Sequence, residues 1–141
     1  MNKSISTLII TTLIGTTFTA STIAAPNPRA GYKVVNTKEF INNQQLKIST
    51  PNQIAVKLFG YPGEEEGRKA ESVSVDYSNR DNRAVILNTK EGLADDSVAA
   101  MRYRVEMQRI QGKWQIIWVG SQSKCQQGRG HQTWQGNKLC S

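Results

Sequence analysis

The sequence predicts an α+β fold, one main N-terminal helix packed on a four-stranded antiparallel sheet, and three observations carry that prediction. Ile54, Ala55, Leu58 and Phe59 recur at helical spacing ahead of Gly60 and Pro62. From Glu71 onward the apolar spacing changes to two, first in Val73, Val75 and Tyr77 and later in Met101, Tyr103, Val105 and Met107. Turn-forming residues part the later apolar runs at hairpin distances, so the strands are expected to pair in chain order as two consecutive hairpins.

The first 24 residues fall outside that fold. Lys3 precedes Leu8, Ile9, Ile10, Leu13 and Ile14, and small residues close the run, which is the order of a cleavable secretory signal. The apolar stretch is short of the roughly 20 residues that cross a bilayer. Thr22 and Ala24 satisfy the small-residue requirement at the cut, so cleavage is expected between Ala24 and Ala25. No cysteine near that point accepts lipid. The expected organisation is therefore a signal peptide over 1–24, a flexible linker over 25–35 and a single domain over 36–141. The protein is expected in the periplasm or outside the cell.

Within the domain, Asn36 and Glu39 resemble a helix cap, but Asn42 and Asn43 limit the helix behind them to one or two turns. Thr50 as cap and Pro51 in the first helical position start a stronger helix over 51–59. Residues 61–70 hold two glycines, a proline and Glu64, Glu65 and Glu66, an exposed loop whose glutamates suit a solvated turn better than a cation site. Strands follow at 73–77 and 84–87, and a loop containing Gly92, Asp95 and Asp96 leads to a third at 101–107. Residues 97–109 also have good helix propensity, so a helix is the competing reading there. After Gln111 and Gly112 a fourth strand places Trp114, Ile116 and Trp118 on one face and Ile117 and Val119 on the other. Cystatin-like and nuclear-transport-factor-like rolls share this element order, an analogy that says little about function.

Charge is distributed unevenly. Setting Lys3 aside leaves 17 Lys and Arg against 11 Asp and Glu, a net of +6. Residues 25–96 are balanced at 10 of each sign, whereas 97–141 hold seven basic side chains and one acid, Glu106. Such one-sided charge favours an anionic surface or an acidic protein partner, with a merely solubilising sheet face as the competing reading. Cys125 and Cys140 are the only cysteines, and in an oxidising compartment they are expected to pair. A loop of that length contributes on the order of 3 kcal/mol by chain entropy. A zinc site lacks ligands, since His131 is the only other soft donor and structural zinc takes four. No cofactor or metal is expected.

The tail is the most specific stretch: Lys124-Cys125-Gln126-Gln127-Gly128-Arg129-Gly130-His131, then Trp134, then Leu139-Cys140. With Gly92 to Val98 and Arg102 to Val105 upstream, it resembles a family of small uncharacterised exported bacterial proteins. That family ends in Cys-x-x-Gly-Arg-Gly-His-x-x-Trp and a last cysteine. The resemblance spans roughly residues 51 to 140 and implies export and fold, with no activity, substrate or cofactor attached. From the residues themselves, Gly128 and Gly130 permit a tight turn that gathers amides, Arg129 and His131 into a possible anion site. The alternative is structural: Arg129 pairs with an acid on the sheet, His131 bonds a loop carbonyl, and Trp134 packs over the disulfide.

Three functional classes compete. An enzyme would need a partner for His131, and Ser121, Ser123 and Ser141 lack a strained presenting turn, while Asp95 and Asp96 read as turn residues. An inhibitor of an extracytoplasmic hydrolase or protease would plug a cleft with the 125–140 loop. A non-catalytic binding module asks least of the residues, with Arg102, Arg104, Lys124, Arg129 and His131 as its anion-binding or partner-binding candidates. Trp118, Trp134, Gly128 and Gly130 are its structural supports. Nucleic acid is disfavoured as a partner because Tyr103, Trp114 and Trp118 fall on buried positions by pattern.

Overall fold

The computed structural model describes residues 25–59, 70–78 and 80–141. The expected signal peptide, Ala24 on one side of its cut and Glu64 to Glu66 lie outside the described residues. The elements, in order, are β1 (Lys33–Val34), α1 (Thr37–Asn43), α2 (Pro51–Leu58), β2 (Ala70–Ser78), β3 (Arg83–Glu91), β4 (Val98–Ile110) and β5 (Lys113–Cys125). The strands form one antiparallel sheet ordered β1-β5-β4-β3-β2.

The expected α+β class therefore holds, with two corrections. Two short helices replace one main helix, and the sheet has five strands. The fifth is β1, which pairs Lys33 with Ser121 and Val34 with Gly120 inside the segment read from sequence as linker. Two residues are too few to leave a period of two.

Local chemistry explains where the helices start. The Asn36 side chain accepts from the backbone N–H groups of Lys38 and Glu39, and Thr50 forms a reciprocal capping box with Gln53. Both helices lie on one face of the sheet. Phe40, Leu46, Ile54, Ala55 and Leu58 pack there against Ala84, Ile86, Val105, Met107, Ile116 and Val119. A buried amide also faces this side: Asn88 Nδ2 donates to Glu71 Oε1 at 2.8 Å.

Residues 98–110 form strand, so tertiary pairing overrides their helix propensity. Gln111 and Gly112 turn the chain with φ of 49° and 78°, the left-handed pair that joins twisted strands tightly. Register slips once near this turn, since Glu106 opposes Trp118 while Met107 opposes Ile116, which leaves Ile117 as a bulge. The slip corrects the expected facing. Ile116 and Val119 share the helix side with Trp114 packed against them, and Trp118 turns to the opposite side beside Glu106. No helix or strand covers that opposite side among the described residues.

Candidate functional site

Alternation along β4 and β5 decides what the open face displays. Arg102, Arg104 and Glu106 project from β4, and Trp118, Gly120, Gln122 and Lys124 project from β5, because they oppose one another as Glu106–Trp118, Arg104–Gly120 and Arg102–Gln122. Two segments from outside the hairpins lie on it. A turn over 28–31, tightened by Asn27 Oδ1 accepting from the Arg29 N–H at 3.0 Å, brings Arg29 and Tyr32 to one end. The tail brings Trp134 to the other, held where Ser123 and Gln135 exchange backbone hydrogen bonds of 2.9 and 3.1 Å.

The outcome is a row in which cations and aromatic rings interleave. Arg29 sits 4.9 Å from the centre of the Trp118 ring, and Trp118 meets Tyr32 edge to face at 5.9 Å. Arg102 lies 5.5 Å from the Tyr32 ring and 4.5 Å from the Trp134 ring. Lys124 closes the row 4.6 Å from the same indole. Each such contact contributes about 0.5–2 kcal/mol, more where water is excluded.

Backbone clearance makes the row possible. A Cβ at Gly120 would collide with the Trp118 ring, and one at Gly136 would collide with the backbone of Tyr32 and Lys33. Gln122, only 5% exposed, ties the row together: its Oε1 accepts from Arg102 Nε at 2.7 Å and its Nε2 donates to the Gly31 carbonyl at 2.8 Å.

The two ends of the row differ in charge compensation. At the first, Glu106 accepts from Arg29 at 2.6 and 3.0 Å and from Arg104 Nε at 2.8 Å. Burial pushes the Glu106 carboxyl up, but the bonds from both arginines outweigh it and hold the group below the usual carboxylate range. At the second end, Arg102 and Lys124 converge on Trp134, and among the described residues neither makes an ion pair.

The tail loop is built differently. Cys125 and Cys140 are joined, with Cα atoms 5.4 Å apart. Gly128 and Gly130 take φ of 79° and 133°, conformations that favour glycine. The loop amides serve the loop: Arg129 N–H donates to the Gln126 carbonyl and Cys125 N–H to the His131 carbonyl. The two His131 ring nitrogens lie 3.0 and 3.2 Å from the carbonyls of Thr133 and Lys138. Arg129 is exposed, and among the described residues its guanidinium has no acid partner. Cys125, His131 and Cys140 place donor atoms within 4.8 Å of one another, with the two sulfurs bonded to each other.

Of the residues singled out from sequence, the structure thus gathers Arg102, Arg104, Lys124, Trp118 and Trp134 on one face. Arg129 and His131 stay in the loop, and no hydrogen bond, ion pair or ring contact among the described residues joins their side chains to that group. Asp95 is a turn residue whose carboxylate accepts from the N–H groups of Val98 and Ser97, which lowers it from its ordinary range. Sequence reasoning missed Arg29, Tyr32 and Gln122, which leave no periodic signal. Glu106, the lone acid in a basic stretch, was visible as an anomaly without a partner.

The fold and this face define a small disulfide-closed α+β domain with one covered and one open sheet side. The chain matches no family model, no curated protein and no solved structure.

Proposed function

We propose that this is a non-catalytic exported domain, periplasmic or secreted, that binds an anionic envelope component or an acidic protein partner through the open face of its sheet. The observation that carries the reading is the convergence of Arg102 and Lys124 on Trp134, with no ion pair to either among the described residues. Two cations on one ring, neither in an ion pair among the described residues, favour an anion supplied from outside. The disulfide accords with export to an oxidising compartment. A non-catalytic role accords with His131, whose ring nitrogens face loop carbonyls, while Ser141 Oγ donates to the Arg129 carbonyl.

A second reading, an inhibitor of an extracytoplasmic hydrolase, draws on Leu139, which is 90% exposed in the disulfide-closed loop and could enter a cleft. One experiment separates the two. Retention on anionic envelope fractions is measured across a salt series for the oxidised protein, for Arg102→Gln/Lys124→Gln and for Arg129→Gln/His131→Ala. Loss in the first variant alone supports the sheet face. Equal salt-sensitive retention of all three reduces the binding to diffuse charge, and no retention of any directs the search to hydrolases.

A further inference from the structure

Resting on the anion-binding reading above, we infer that the Arg102–Trp134–Lys124 end of the open face takes a phosphomonoester. The argument starts from what Arg102 has left to offer. Its Nε is committed to Gln122, itself held by the Gly31 carbonyl, and the rings of Tyr32 and Trp134 lie over its carbon centre at 5.5 and 4.5 Å. The terminal Nη groups are the donors that remain. A fork of this kind selects an anion presenting two oxygens side by side.

Lys124 then distinguishes among such anions. Its ammonium lies 4.6 Å from the same indole, so this end of the row carries two positive charges on one ring. A carboxylate brings one charge and two oxygens, which leaves the ammonium unanswered. A phosphomonoester brings about −1.5 to −2 at neutral pH and three terminal oxygens, two for the fork and one for the ammonium.

The other end of the same row supplies the contrast. There the fold places its own carboxylate, Glu106, between Arg29 and Arg104, which answers one of the two charges. At Arg102 and Lys124 no internal acid among the described residues takes that place, so the row has one partly compensated and one open cation pair. Phosphorylated saccharides and lipid headgroups both carry the required group.

The test titrates the oxidised protein with inorganic phosphate, glucose 1-phosphate, glucuronate and phosphatidylcholine vesicles with or without phosphatidic acid, read by calorimetry and by Trp fluorescence. Phosphate is expected to bind more tightly than glucuronate. The affinity of glucose 1-phosphate should rise between about pH 5.5 and 7 as the second proton of the monoester leaves. Lys124→Gln and Arg102→Lys should each weaken it about tenfold, the loss of one charge-assisted bond, while Arg129→Gln leaves it unchanged. Arg102→Lys keeps the charge and the stem, which guards against a variant that merely unfolds. Preference for glucose 1-phosphate or for phosphatidic acid vesicles then names the source. Equal binding of glucuronate and phosphate overturns the phosphomonoester and leaves the anion-binding reading standing. Failure of every probe to bind overturns both.

Discussion

The two faces of the sheet are held by different physics. On the helix side, Ile86, Val105 and Val119 are fully buried, and the helices seal them through dispersion and water exclusion. On the open side, half-buried rings and cations interleave, and their contacts are directional and partly electrostatic. The apolar packing of the helix side does not depend on salt or pH to first order, whereas the charged row of the open side responds to both. The domain thereby concentrates its apolar burial on one surface and leaves rings and charged groups on the other.

Four experiments would break or sharpen that contrast. The largest effect is expected from Ile86→Ala, which should cost about 3–4 kcal/mol in urea unfolding with binding per folded molecule unchanged. A loss below about 1 kcal/mol would mean that the helices do not seal the core. Removing the disulfide by Cys125→Ser/Cys140→Ser should cost on the order of 3 kcal/mol in thermal unfolding. It should also loosen Trp134, seen as a red shift in emission, and an unshifted spectrum would place Trp134 independently of the loop closure.

Gly120→Ala is expected to cost about 1–3 kcal/mol by overpacking, because the new methyl displaces the Trp118 ring. Near-ultraviolet circular dichroism should change with it, and an unaltered signal would show that the ring does not rest on that glycine. The smallest effect belongs to Glu106→Gln, about 1 kcal/mol at neutral pH, because the amide keeps one acceptor oxygen and Arg29 stays largely exposed. Its signature is pH dependence. The folded carboxyl is held below its unfolded value of about 4.3, so the stabilisation is present above that pH and is lost as pH falls through the lowered folded value. The variant should flatten the acid limb of the stability curve, and an unchanged limb would remove Glu106 from the row's electrostatics.

Much of the helix face was legible in sequence because its signals are periodic. Ile54, Ala55 and Leu58 mark α2, and Val105 and Met107 mark the inner side of β4. The bulge at Ile117 was not legible, since a register slip leaves no trace in composition, and it reversed the facing of Trp118. β5 runs on to Cys125 because Ser121, Gln122 and Ser123 pair despite lacking an apolar alternation. On the open face, Arg102 and Arg104 were visible from their spacing. Their neighbours were not: Arg29 reaches Glu106 across 77 residues and Gln122 reaches Gly31 across 91, distances over which sequence pattern carries no information.

That separation bears on folding order. Local hairpins form first, whereas contacts that close long loops wait until the sheet exists to receive them. The interleaved row, drawn from residues 29–32, two strands and the tail, is thus expected to assemble late. Substitutions in it should leave the refolding limb of a chevron nearly unmoved and raise the unfolding rate.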